Sequence, residues 1–229
     1  MTGKNTIELE FSRKYDHAHS ARYYRKHRDG LARRLSHLWD TRLARKALVL
    51  AGNPGRVLDL PCGAGRFWPL LAEREDREIL AADNSSDMIG IALAQQPAHI
   101  VSRVRAFRTS AFAIELPDRS VDSIFCMRLL HHVRDSAHRL AMLREFHRVT
   151  EDSVIVSLWV DGNYKAWKRA RLERRRAGSG KVGTNANRFV VPRAVIEQEF
   201  AQAGFTVQSH LDFLPGYAMW RVYVLRKAA

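Results

Sequence analysis

The stretch that most limits what this chain can become runs from Arg56 to Trp68, R-V-L-D-L-P-C-G-A-G-R-F-W. An apolar pair, Val57 and Leu58, meets an acid, Asp59, and then a bend with Gly63 and Gly65 before a helical pattern begins at Arg66. That order reads as strand, glycine turn, helix. Glycines in such a bend remove the Cβ atoms that would keep a ligand off the main chain, and they permit the positive φ angles of a tight turn. The backbone is arranged to hold something close.

Gly63, Gly65 and the acid Asp83, about twenty residues on, also fit the dinucleotide fingerprint. Two features argue against a nicotinamide nucleotide. The third fingerprint glycine would fall at position 68, where Trp68 would block the close helix-to-strand packing that glycine allows. Asp59, at the mouth of the strand, would repel a pyrophosphate. A cationic ligand group would be welcomed there instead. S-adenosylmethionine (SAM) has no phosphate, carries a sulfonium and an ammonium, and offers a ribose diol to a second carboxylate.

The run D-L-P-C-G-A-G-R-F resembles the first motif of class I SAM-dependent methyltransferases, D-x-G-x-G-x-G, and within them the UbiE-like (type 11) group. Pro61 stands where the first glycine normally sits, which fixes φ locally and removes one N–H. The resemblance extends from about residue 55 to the C-terminus. It implies an α/β fold, a Rossmann-like seven-stranded and mostly parallel sheet with an antiparallel last strand, helices on both faces and an N-terminal helical cap.

Net charge is the unusual part of the composition. The formal +14 is concentrated: residues 1–50 contribute +7 and residues 165–181 another +7. A near-neutral body therefore carries two basic attachments, and either could meet an anionic partner. The expected organisation is a basic arm and helical cap over 1–50, and a SAM-binding domain over 51–229 with a basic insertion at 161–190. Cys62 and Cys126 are the only cysteines, which fits a reducing compartment better than a disulfide framework. With no secretory leader and no run of membrane-spanning length, the expected location is cytoplasmic.

Taken in order, residues 20–50 show helical spacing, with Gly30 a potential break. This is either a cap with a solvated basic face or, as the resemblance implies, a lid over donor and substrate with Tyr15, Tyr23 and Tyr24 as its candidates. Residues 66–74 read as the helix after the glycine turn, and E-I-L-A-A-D as the second strand, ending in Asp83. That acid points at the ribose edge in such folds, or caps the helix starting near Ser85. Asn84 and Met88 follow it; Met88 is an adenine-packing residue by resemblance, or a core methionine. Residues 100–108 read as a third strand. Many relatives then place Asp-Ala, whereas this chain has Ser110 and Ala111, so adenine recognition would rest on backbone groups.

The fourth strand runs from Asp122 to Cys126, and M-R-L-L-H-H-V-R-D after it resembles the family's fourth motif, with Cys126 to Arg128 lining the methionine portion. His131 and His132 are candidates for a base, since imidazole titrates near neutral pH, or for structural duty. No metal site is expected, because adjacent histidines diverge and no further ligand completes a set. Thr150 to Asp152 read as a polar turn before the fifth strand. Trp167, Arg171 and Arg175 share one face of the basic insertion at spacings of four and are acceptor candidates. A helix from Pro192 to Gly204 and a strand hairpin close the chain.

Three functions fit these residues. The first is a SAM-dependent methyltransferase acting on an anionic small-molecule or glycolipid acceptor, with a potential peripheral contact to a membrane surface. The second is an RNA methyltransferase that uses the basic segments on phosphates. The third is a SAM-binding module without turnover.

Overall fold

The computed structural model describes residues 31–177 and 187–228. Tyr15, Tyr23 and Tyr24, and the second half of the basic insertion, lie outside them. Helix α1 spans Leu31–Leu50. Strand β1, Arg56–Asp59, leads through the glycine turn to a short helix α2, Trp68–Leu71, and on to β2, Glu78–Asp83. Helices α3, Ser86–Gln95, and α4, Ala98–Val101, precede β3, Val104–Arg108, and then β4, Val121–Cys126. A single 3-10 turn, Leu130–His132, leads to α5, Ser136–Val149, and to β5, Thr150–Val160. Helix α6, Tyr164–Ala177, the two-residue β6, Val190–Val191, helix α7, Arg193–Gln202, and strands β7, Phe205–Asp212, and β8, Trp220–Lys227, complete the order.

The strands form one sheet in the order β3-β2-β1-β4-β5-β8-β7, with β6 attached to β5. All pairings from β3 to β5 are parallel, and β8 runs antiparallel to both β5 and β7. Central strands buried on both faces need near-continuous apolar runs, and the buried stretches 57–58, 79–82, 124–126 and 154–156 supply them. Alternation then sorts their side chains. Leu58, Leu80, Ile124, Val154, Val156 and Leu225 pack with Met142, Phe146, Ile196 and Phe200 of α5 and α7. Val57, Ile79, Phe125, Ile155 and Val224 face the other way, against Leu43, Ala47 and Leu48 of α1 and Trp68, Leu71 and Ala92. Two cores thus share one sheet.

Three expectations need correction. The helix after the glycine turn is not residues 66–74 but only Trp68–Leu71, because the chain first makes tight turns through Gly65 N–H to the Cys62 carbonyl and Trp68 N–H to the Gly65 carbonyl. Residues 98–101 form a short helix, so β3 is confined to Val104–Arg108. Thr150, Glu151 and Asp152 do not turn: they begin β5, and Thr150 caps α5 while its hydroxyl donates to the carbonyls of Asp122 and Ser153.

A buried ion pair ties α5 to α7. Arg139 Nε and NH2 donate to the two carboxylate oxygens of Glu199 at 2.7 and 2.6 Å, Ser136 adds a third bond, and Arg139 also donates to the Val133 and Arg134 carbonyls. Each side chain is nearly inaccessible to water. Glu199→Ala should therefore cost about 3–5 kcal/mol by stranding the guanidinium, whereas Arg139→Met with Glu199→Leu should recover most of that loss. Urea titrations of the two variants check this.

Candidate active site

In an open parallel sheet, ligands settle beyond the carboxyl ends of the strands where the order reverses. Here that point lies between β1, which pairs with β2 on one side, and β4 on the other. Beyond β1 the ladder continues briefly: Leu60 N–H donates to the Phe125 carbonyl at 3.1 Å and Cys62 N–H to Ala82 at 2.8 Å. The Leu60–Pro61 peptide is cis. Gly63 and Gly65 then have φ of 53° and 70°. A Cβ on Gly65 would lie 2.8 Å from the Trp68 ring, so this glycine is required by both conformation and space. Gln96 Nε2 donates to the Ala64 carbonyl at 3.0 Å and steadies the bend from α3.

Two carboxylates flank this bend. Asp59 is 1% exposed, and neither of its oxygens has a hydrogen-bond partner. Burial, reinforced by the negative Asp83, pushes its pKa well above the usual carboxylate range, and the Trp68 indole offsets this only in part, short of hydrogen-bond geometry. Asp83 is better served. Its oxygens accept from Gly63 N–H at 3.0 Å and Ser85 N–H at 2.9 Å, which ties the end of β2 to the glycine turn. Burial raises its pKa as well, and those N–H groups restrain the rise. The N-cap of α3 is Ser85, whose hydroxyl accepts from Met88 N–H.

Other predicted residues fall around the same edge. Met88 is buried, and its Cε lies 3.6 Å from where a Gly63 Cβ would be. Asn84 is exposed, its carbonyl taken by Arg108 Nε at 3.0 Å. Ser110 accepts from Phe112 N–H at 3.2 Å, and Ala111 belongs to the core. Cys62 and Cys126 are buried free thiols, both with pKa raised by burial. Arg128 holds a positive φ of 66°, a conformation that costs a non-glycine residue about 1–2 kcal/mol, while its N–H donates to Ser157 Oγ at 2.9 Å.

Asp40 was not anticipated from sequence. From α1 its carboxylate receives Arg66, on the glycine turn, at 2.6 Å, and also Arg128, on the turn after β4. One buried acid thus clasps the two turns that flank the switch point. The signal was available, since Asp40 is the single acid in the twenty-residue helix Leu31–Leu50.

Past β4, burial lowers the pKa of His131 well below the usual histidine value. His132 drops to about 4 for the same reason, with the Asn187 carbonyl working in the opposite direction. The His132 Nδ1 to Asn187 O distance is 2.6 Å, and because a carbonyl only accepts, Nδ1 carries the proton. Trp167 lines an open cleft of about 740 Å³ with Asp161, Asn163, Arg169, Val190 and Gly216. Arg171 stacks over Trp167 at 5.6 Å; Arg175 is exposed further along α6 and does not join the cleft. Trp159 and Trp220, paired in register across β5 and β8 at this same edge, were also missed, though each stands at the carboxyl-edge end of its strand.

Fold and site together describe an α/β domain whose switch point carries a glycine turn flanked by two buried carboxyl groups. Residues 57–153 match the family described as methyltransferase domain. The fold is shared with magnesium protoporphyrin IX methyltransferase (ChlM) from Synechocystis PCC 6803 with bound S-adenosylhomocysteine, at TM-score 0.70 and 19% identity, covering 91% of this chain and 94% of that one. The same enzyme with bound SAM gives 0.70 at 17% identity over 99% and 100%. A SAM-dependent methyltransferase from Aquifex aeolicus gives 0.64 at 19% identity over 94% and 100%. No curated protein sequence is detectably similar. Residues 57–153 thus carry a methyltransferase domain, and the fold around them is the one these methyltransferases share.

Two outcomes follow from this geometry. Asp40→Asn should loosen α1 from both turns, lowering stability by about 1.5–3 kcal/mol and speeding hydrogen exchange across α1; urea titration and exchange mass spectrometry read these. For His132, the unfolded ring binds its proton near 6.5 and the folded ring near 4. Between those values the unfolded state holds more protons, so stability is full above the window and falls as pH drops through it. His132→Gln should remove this dependence, narrowing the loss between pH 7 and pH 4 by about 3 kcal/mol at 1.36 kcal/mol per unit. Denaturant midpoints at both pH values check it.

Proposed function

We propose that the chain is a SAM-dependent methyltransferase that acts on an anionic small molecule, a glycolipid head group included, with the donor cradled between Asp59 and Asp83. The orphaned Asp59 carboxylate supports the donor's placement most directly. A buried acid without a partner is costly, and a cationic amino group, directly or through water, relieves it. Gly63 and Gly65 let the ligand reach the backbone. Asp83 keeps acceptor capacity for a ribose diol beyond its two N–H bonds. Met88 flanks the adenine, Ser110 and Ala111 offer backbone groups to it, and Cys126 to Arg128 line the methionine portion.

SAM supplies a methyl group already activated on a sulfonium. The chain's own residues then need to align and to exclude water, and orientation alone is worth roughly 7–11 kcal/mol in well-ordered reactions. His131 and His132, neutral by burial, are suited to position an acceptor or receive a proton rather than to carry charge. The anionic acceptor is supported by the three arginines, Arg128, Arg169 and Arg188, gathered on Trp220 and Trp159 at the carboxyl edge.

A second reading draws on α6. Arg171, Arg174, Arg175 and Arg176 are all exposed there and could meet RNA phosphates. The two readings separate in one experiment: incubation of the protein with labelled SAM and a cell extract split into RNA and small-molecule fractions. Label should enter acidic small molecules. Label in RNA, with binding that weakens steeply as salt rises, would select the second reading instead. For the donor, Asp83→Asn should weaken SAM binding at least tenfold by calorimetry while leaving the melting profile cooperative.

A further inference from the structure

Asp59 is not the only unsatisfied group at the carboxyl edge. His131 on the turn after β4, Trp159 near the end of β5 and Trp220 at the start of β8 bring three rings together, with centroids 5.3, 4.7 and 5.6 Å apart. Within this cluster Trp159 Nε1 and His131 Nδ1 are buried and have no hydrogen-bond partner. An indole N–H can only donate, so Trp159 lacks an acceptor. A buried donor left unmade is a standing cost that an incoming acceptor atom removes.

Cations surround the same rings. The Arg169 and Arg188 guanidinium carbons lie 5.3 and 5.7 Å from the Trp159 ring centre, and that of Arg128 lies 4.8 Å from Trp220. Arg169 is paired with Glu173 and Arg128 with Asp40. Arg188 has no carboxylate partner among the described residues, and its charge is one of those that disfavour protonation of both histidines. Its backbone is nevertheless pinned. Phe189 N–H donates to the His131 carbonyl at 2.8 Å, Asn187 accepts from His132, and Arg169 donates to the Arg188 carbonyl at 2.8 Å. Val190 then pairs with Trp159 across β5 and β6. A positive charge without a counter-charge is thus fixed beside two unsatisfied ring nitrogens. A guanidinium stacked on an indole still presents its N–H edge, which matches the two oxygens of an oxyanion.

We propose that Arg188, Trp159 and His131 form an oxyanion-binding corner that takes a carboxylate or phosphate of the methyl acceptor. This rests on the reading of the enzyme as acting on an anionic small molecule, and it places the anion apart from the donor cradle. Arg188 supplies the charge and Trp159 the directional N–H. His131 donates from Nδ1, the tautomer an anion selects.

Three probes with one ring system test the corner: 2-naphthoate, 2-naphthyl phosphate and neutral 2-naphthamide, titrated into the full chain with SAM present and followed by calorimetry and by the indole N–H signals of the nitrogen-15 labelled protein. Trp159→Phe identifies the Trp159 signal. At least one anion should bind ten times more tightly than the amide, and the tighter anion identifies the source as carboxylate or phosphate. The Trp159 signal should move on binding, Arg188→Ala should weaken the anion at least tenfold, and Arg188→Lys should restore part of the loss. SAM affinity should stay unchanged in both Arg188 variants. Anion binding indifferent to Arg188→Ala, or saturation without movement of the Trp159 signal, overturns the corner and leaves the anionic-acceptor reading standing. If the amide binds as well as the anions, or no anion binds while SAM does, both fall.

Discussion

The placement of β1 between β2 and β4 is the constraint on which the rest depends. A strand buried on both faces of the sheet meets the ligand crevice at its carboxyl end, and there this chain puts Asp59, an acid that no protein donor among the described residues satisfies. Its neighbours answer to it. Leu60 and Cys62 extend the ladder past the last residue of the strand, and the two glycines swing the chain away before any side chain can fill the space. The cradle is made by what is withheld as much as by what is supplied.

Electrostatics distinguish the two sides of this edge. Around the glycine turn the titratable groups are two carboxyls whose pKa burial raises, that of Asp59 further through the nearby Asp83. Around β5 and β8 they are guanidiniums laid on tryptophans, and the titratable rings there are driven neutral. A molecule with a cationic end suits the first side and one with an anionic end the second. Asp40 stands between them, joined to Arg66 on one side and Arg128 on the other.

Much of this was legible in the sequence because it is local. The strand, the glycine turn, the end of β2 at Asp83 and the extent of β4 follow from periodicity and from residues adjacent in the chain. Helix α2 was overextended at its start because Arg66 and Phe67 look helical, while the tightness of the Gly65 bend delays it to Trp68. Thr150 to Asp152 look like a turn by composition, yet the parallel pairing of β4 with β5 draws them into the strand. Asp40, Trp159, Trp220 and Arg188 were missed for a different reason: their partners are distant in sequence, and only the sheet order brings them together.

The position of β8 has a consequence for synthesis. This strand follows β7 in the chain but lies between β5 and β7, and it is the only strand partner β7 has among the described residues. During vectorial translation the parallel half of the sheet can assemble while β7 is still without a neighbour and the flank of β5 is uncovered. Closure waits for the hairpin's second arm to slide into the gap. A ribosome stalled before Trp220 would therefore present an adhesive border of main-chain amides to any other nascent polypeptide, which makes the final strand the molecule's own safeguard against misassembly.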